Sequence, residues 1–202
     1  IKVSNCQKLG ATVISYGNDF DEAKAHAQEL AKERGLAYIN GYDDPAIIAG
    51  QGTMGIEIAE QVPDLDAVIV PVGGGGLLAG VALAVKTMIP RAKIIAVEAE
   101  NVASFSAALK AGKPTTITTK PTLADGLAIP QIGSNDFAIA KDLVDRWEQV
   151  SEEQIAPSIW GIGDMGKGAD EGANASTPAR RRAGGVQDIA GKKSAMLDGG
   201  GR

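Results

Sequence analysis

Four consecutive glycines, Gly73 to Gly76, separate the apolar run DAVIVPV (66–72) from the longer apolar stretch LLAGVALAV. Each glycine adds backbone entropy that folding must overcome, so four in succession mark a place that cannot accommodate side chains. The run before them reads as a strand buried on both faces of a parallel sheet. The stretch after them reads as a helix near 77–89. A strand, a glycine turn and a helix N-terminus together aim bare N–H groups and the positive end of a helix dipole at one point, which suits an anion. The competing reading is a tight strand-to-helix turn with close packing. Four glycines after a buried strand favour phosphate.

The rest of the chain alternates short β-rich runs with amphipathic segments. ATVISYG (11–17) and LAYIN (36–40) read as strands. Between them, DFDEAKAHAQELAKERG has an Asp19…Glu22 capping box, apolar Ala23, Ala27, Leu30 and Ala31 at helical spacing, and Gly35 as a stop. Asp44 and Pro45 open a further helix as N-cap and first helical residue. Within it Gly52 and Gly55 lie three apart on one face, which predicts a closely packed neighbour. After the glycine turn come the strand KIIAV (93–97), a helix over 102–110 with Asn101 as cap, and a loop over 113–130. A helix over 135–146 and a Ser151…Gln154 capping box follow. Strands alternating with helices predict an α/β fold, a parallel twisted sheet flanked by helices. Residues 161–202 hold 11 of the 26 glycines and few large apolar side chains, the composition of loop or linker.

With 202 residues, 44% hydrophobic and 22% charged, the chain can bury a real core. Its net charge of -5 argues against nucleic acid or an anionic membrane as partner. There is no apolar run of transmembrane length, IKVSNCQKLG does not have the form of a signal peptide, and Cys6 is the only cysteine. A cytoplasmic protein is expected. His26 is expected to face solvent, Trp147 and Trp160 to pack, and Cys6 to be a buried or idle thiol.

Which phosphate the glycines would hold is narrowed by their neighbours. A P-loop needs Gly-Lys-Ser/Thr, and Leu77-Leu78 follow here, so a nucleotide triphosphatase is not expected. Gly74-x-Gly76-x-x-Ala79 approaches the dinucleotide fingerprint, with Glu98 ending the next strand where a ribose-binding acid would sit. That match leaves Gly73 and the preceding glycine-bearing helix unexplained.

Four segments in order, DDPAIIAGQGTMGIEIAEQ, VPVGGGGLLAGVA, IIAVEAENVASFSAALKAGKP and LADGLA, resemble the fold-type II pyridoxal-phosphate enzymes. These have the tryptophan synthase β-like fold, and the branch resembled is that of threonine/serine dehydratase (ammonia-lyase) and serine racemase. The resemblance runs from about residue 1 to 160. It implies that residues 1–45 are the remainder of a small domain, 46–160 a large cofactor-binding domain, and 161–202 the C-terminal part of that large domain. It implies that the amides of Gly73, Gly74, Gly75 and Gly76 hold the phosphate of pyridoxal 5′-phosphate, that the substrate is a small amino acid, and that the protein is a homodimer.

The family's Ser-x-Lys-x-Arg segment, which supplies the Schiff-base lysine, and its Ser-x-Gly-Asn-His substrate loop do not occur in these residues. The chain is therefore read as the C-terminal two-thirds or so of an enzyme, inactive alone. DEGANAST places Glu171 at the family's acidic position beside the cofactor ring. AGKKSAMLDGGGR places Asp198 where the family has a Ser or Cys on the pyridine nitrogen. The intervening ASTPARRRAGGVQDI lacks the expected helix, and such landmarks among ill-fitting residues point to a stretch of uncertain sequence. The family's divalent-cation site maps onto Glu98, with Ser104 at its aspartate position. A magnesium or calcium ion there would lack one hard carboxylate. The other reading of Glu98 is an exposed carboxylate or a helix-cap partner.

The implied activity is β-elimination of water from L-threonine or L-serine, then hydrolysis to a 2-oxo acid and ammonia, with the cofactor as electron sink. The alternatives are a serine racemase-like isomerase, a non-catalytic phosphate-binding module, and, third, a nicotinamide enzyme. DDP after Tyr42 is closer to the dehydratases than to the racemase. That LDGGGR is followed by no regulatory domain fits a catabolic dehydratase.

Overall fold

Strand β1 (Ala67–Pro71) is buried at every position. Val68 and Val70 join one apolar cluster, and Ala67 and Ile69 join another, because successive side chains of a strand point to opposite faces. β2 (Lys93–Ala99) runs parallel beside it, with Ala67 opposite Lys93 and Pro71 opposite Val97. β3 (Arg146–Val150) adds to the far side of β2, and β4 (Ser194–Met196) to the far side of β1. The sheet order is β3-β2-β1-β4, parallel throughout. The structure, a computed structural model, describes residues 2–18, 20–164 and 194–196. It divides into two units, Ile1–Ile39 and Asn40–Arg202.

The first unit holds α1 (Lys2–Lys8) and α2 (Phe20–Arg34). Neither 11–17 nor 36–40 forms the expected strand. A strand requires a hydrogen-bonded neighbour, and among the described residues neither run has one; Ile14 and Ile39 are exposed. On α2, Ala23, Leu30 and Ala31 take the shielded side, while Ala27 is exposed. Asp19 lies outside the described residues, and Glu22 accepts the Asn18 N–H at 2.8 Å. His26 does not face solvent as expected. Its ring is half-buried and stacks on Tyr16 at a centroid distance of 3.8 Å. The Cys6 thiol is exposed.

In the second unit, α3 (Pro45–Gln61), α4 (Gly76–Met88), α5 (Ser104–Ala111), α6 (Ser134–Leu143) and α7 (Glu152–Asp164) flank the sheet. Val81 and Val85 of α4 and Phe105 of α5 cover one face, and Ile155 of α7 helps cover the other. α6 ends three residues before the expected 146. Asp145 there accepts the Ile94 N–H at 2.9 Å and pairs with Lys86 at 2.7 Å, so the chain turns into β3 instead. Trp147, on that edge strand, is 49% exposed rather than packed. The Trp160 side chain lies outside the described residues.

α3 and α4 meet backbone to backbone. A Cβ on Gly52 would lie 3.3 Å from the Gly80 carbonyl oxygen, and one on Gly55 only 2.9 Å from Ala84 Cβ. A Cβ on Gly80 would lie 2.6 Å from the Gly52 nitrogen and closer still to the Ile48 carbonyl oxygen. The glycine pair in the sequence therefore does mark a close crossing, and its partner is Gly80. Gly50, on the same helix, faces open space. Gly80→Ala is expected to lower the denaturant-unfolding free energy by about 1–3 kcal/mol or more, because the helices must part. Gly50→Ala is expected to raise it by about 0.5–1 kcal/mol through helix propensity. Equal effects of the two substitutions would contradict the close crossing.

Candidate functional site

The Val72 N–H still donates to the Val97 carbonyl at 2.8 Å, so the chain leaves the sheet only at Gly73. Gly75 takes a left-handed conformation, φ 107°, as the N-cap of α4, a conformation that side chains resist. Protein fills the side on which each Cβ would stand. A Cβ would lie 3.1 Å from Leu127 Cα at Gly73, 2.5 Å from Tyr42 Cδ1 at Gly74, 2.8 Å from Asp136 Cβ at Gly75 and 2.7 Å from the Tyr42 carbonyl oxygen at Gly76. The turn is thus set into its surroundings, with Gly75 and Gly76 buried, and does not lie outside the packed core. The Gly133 N–H holds the Gly74 carbonyl at 2.9 Å from the other side. Among the described residues, the N–H groups of Gly73 to Gly76 meet no acceptor.

The neighbouring helices differ from α4 in this respect. α3 is capped by its own Asp44, whose Oδ1 accepts the Ala46 N–H at 2.8 Å. α6 is capped from a distance by Asp43, whose carboxylate accepts the N–H groups of Ser134 at 3.0 Å, Asn135 at 2.7 Å and Asp136 at 3.3 Å. Asn40 Oδ1 shapes the turn that delivers both aspartates, accepting the N–H groups of Tyr42 and Asp43. α5 is capped by Glu98. Among the described residues, no side chain caps α4. The exposed first-turn N–H groups of a helix and its dipole make a site for negative charge.

Glu98 was expected either to ligate a cation or to serve as an exposed carboxylate or helix cap. It is fully buried. Oε1 accepts the Phe105 N–H at 2.7 Å, and Oε2 accepts the Ser106 N–H at 2.9 Å and hydroxyl at 2.5 Å. Burial pushes its carboxyl above the ordinary range, and these three bonds pull back. The cap of α5 is therefore Glu98, not Asn101, whose amide donates to the Pro121 carbonyl instead. The Ser104 hydroxyl is buried and finds no partner among the described residues. No group of three or more metal-ligating side chains occurs among the described residues. Glu171 and Asp198 lie outside them.

Sequence reasoning missed Asp43 and Asp136. Asp136 is fully buried beside Gly75, and neither of its carboxyl oxygens has a hydrogen-bond partner among the described residues. Burial, and then the negative charge of Asp43, push its pKa up to about 8. The only sequence signal was an aspartate in the first turn of a helix, which ordinarily reads as a dipole partner. A separate groove of about 560 Å³ between α3, α4 and α6 is lined by Ile48, Ile56, Leu83, Met88 and Ile139 among others, with no titratable side chain.

These features define an α/β protein with a parallel sheet and an anion-receptive glycine turn at the end of a central strand. A family model described as pyridoxal-phosphate dependent enzyme matches residues 1–159. The L-threonine ammonia-lyase of Thermotoga maritima is 42% identical over 200 residues, covering 99% of this chain and 49% of that protein. The chain thus spans about half the length of this curated relative. The processed form of threonine deaminase isoform 2 from Solanum lycopersicum has a TM-score of 0.91 and 38% identity, covering 100% of this chain and 59% of that one. Serine racemase from Dictyostelium discoideum has a TM-score of 0.85 and 31% identity, covering 100% and 64%. The chain belongs to the pyridoxal-phosphate-dependent enzyme family, and its fold is that of the fold-type II enzymes.

Two substitutions test the electrostatics. Glu98→Ala should lower stability by roughly 2–3 kcal/mol, because two buried N–H groups lose their acceptor. The loss should be the same with or without added magnesium or calcium; a loss seen only with the ion would make Glu98 a ligand. Asp136 has a raised folded-state pKa, so its contribution is fully present below the unfolded value near 4 and is lost as pH rises towards about 8. Relative to Asp136→Asn, the parent should therefore lose stability across that window by up to ~1.4 kcal/mol per pH unit. Parallel unfolding curves at every pH would refute the raised pKa.

Proposed function

We propose that the protein to which these residues belong is a pyridoxal-phosphate-dependent ammonia-lyase that converts L-threonine or L-serine to a 2-oxo acid and ammonia. The observation that carries this reading is the uncapped N-terminus of α4, the exception among neighbours capped by Asp43, Asp44 and Glu98. The residues fit a phosphate monoester. Four side-chain-free amides meet no other acceptor among the described residues, and the buried carboxyl beside them is neutral at pH 7. The names of the threonine ammonia-lyase and threonine deaminase relatives support the activity.

When bound, the cofactor supplies an electron sink for the charge left as the substrate's Cα–H bond breaks. The amides of Gly73 to Gly76 bind and orient its phosphate. Leu127 and Tyr42, packed against Gly73 and Gly74, keep the turn in place. We assign Asp198 to the ring nitrogen, where a carboxylate would hold a proton, and Glu171 to the ring's flank. β4 supports the first assignment: it runs parallel to β1, with Met196 opposite Ile69, and precedes Asp198 by two residues in the sequence. Tyr42 before Asp43 and Asp44 favours the dehydratase over the racemase. We also read the protein as a cytoplasmic homodimer. Exposed Ile56, Leu83 and Met88 around the apolar groove support self-association. No helix among the described residues is long and apolar enough to cross a membrane.

The test uses the full-length protein with added pyridoxal phosphate. L-Threonine should yield 2-oxobutanoate and ammonia in equal amounts; formation of its Cα epimer, D-allo-threonine, without ammonia would favour the racemase, and cofactor binding without turnover the phosphate-binding module. Gly74→Val should lower cofactor affinity by several orders of magnitude. Two or three charge-assisted hydrogen bonds, each worth roughly 1.5–3 kcal/mol, would be lost. Because Tyr42 fills the space beside Gly74, the melting temperature should fall too. Unchanged affinity would leave the glycines a packing role alone.

A further inference from the structure

Asp136 is unused by the chemistry above, and its placement is unusual. It is fully buried, its two carboxyl oxygens have no partner among the described residues, and it touches the glycine turn from behind. The contact has two arms. Its Cβ lies 2.8 Å from where a Gly75 Cβ would stand, at the one left-handed residue of the turn. Its Oδ2 closes on Gly133, whose N–H holds the Gly74 carbonyl. Gly133 is wedged between two carboxyl groups, since the Asp43 carboxyl carbon lies 2.6 Å from its would-be Cβ.

The first-turn N–H groups that would stabilise an ionised Asp136 are already taken. Asp43 accepts from Ser134, Asn135 and Asp136 itself. Among the described residues, other elements add no compensating positive charge. The glycine turn and the Ile132–Gly133 segment are uncharged. The only charged residue of α4, Lys86, is paired with Asp145, and the only one of α5, Lys110, is exposed. On α6 itself, Lys141 lies more than a turn away, is exposed and pairs with Asp142 at 4.0 Å. Ionising Asp136 would therefore place an unpaired buried charge between the Asp43 carboxylate and the turn, where it has nothing to bond.

We propose that Asp136 is a proton-linked positioning residue for the glycine turn: neutral, it lets the turn hold a dianionic phosphate ester, and ionised, it weakens that hold. This rests on the phosphate-site reading given above. Linkage is reciprocal, so a bound phosphate dianion must also hold the proton on Asp136 more tightly. The pKa of about 8 in the free protein places the change just above neutrality.

The test is a titration of the full-length protein with pyridoxine 5′-phosphate, which carries the phosphate but no aldehyde and so binds without a covalent contribution. Above pH 7 its phosphate is already dianionic. The affinity of the parent should fall at least about tenfold between pH 7 and pH 9.5. In Asp136→Asn the fall should be several-fold smaller than in the parent, leaving only the part that comes from the probe's own ring nitrogen, which titrates in the same range. An equal fall in both proteins, or no fall in the parent, overturns the proposal. Absence of binding by the parent even at pH 7 would instead sink the phosphate-site reading beneath it. Should the variant not fold, calorimetry of the unmodified protein at pH 8.5 with glycerol 3-phosphate, whose only titratable group is a phosphate already dianionic there, in buffers of different ionisation enthalpy, gives the proton count directly. Uptake of a substantial fraction of one proton per probe bound supports the linkage, and zero uptake overturns it.

Discussion

The positive end of a helix has to be neutralised, and how this is done for α3, α4, α5 and α6 organises the second unit. α3 uses a neighbour in sequence, Asp44. α5 and α6 use carboxylates delivered from elsewhere in the fold: Glu98 from the end of β2, and Asp43 from the turn before α3. Those long-range caps also act as tethers. Asp43 ties residues 40–45 to a helix some ninety positions away, which places Tyr42 against the glycine turn. Among the described residues no side chain does this for α4, a specific feature against that background.

The same neighbourhood shows how two identical side chains come to sit in opposite surroundings. Asp43 is surrounded by N–H donors. Asp136, in the first turn of the helix that Asp43 caps, lies against the backbone of Gly75 and Gly133 and has no donor among the described residues. The helix dipole favours charge on both, but Asp43 takes the amides, and its charge then disfavours a second one nearby.

Much of this was legible in the sequence, because it rests on local chemistry. The buried run before the glycines, the Asp44-Pro45 helix start and the close crossing implied by Gly52 and Gly55 all declare themselves by residue type. Failures came where partners decide. ATVISYG and LAYIN have strand composition but form no ladder, whereas RWEQV, polar and at a sheet edge, pairs with β2 because Asp145 turns the chain beside Ile94. The roles of Asp43 and Asp136 depend on residues far away in sequence that no spacing rule connects. His26 was misread because its stacking partner, Tyr16, lies outside its helix.

The crossing of α3 and α4 sets a limit on how the glycine turn can drift. The two helices run side by side in the same direction, with Gly52 nearest Gly80 and Gly55 nearest Val81 and Ala84, and they touch through main-chain atoms that have no rotamers. The separation of their first turns, and hence the distance from Tyr42 to Gly76, is thus fixed by van der Waals radii rather than by side-chain choice. A substitution elsewhere on either helix can change what the pair presents to its surroundings. It has little leverage on that spacing, so this part of the protein works as a rigid gauge, and changes in specificity must come from the segments arranged around it.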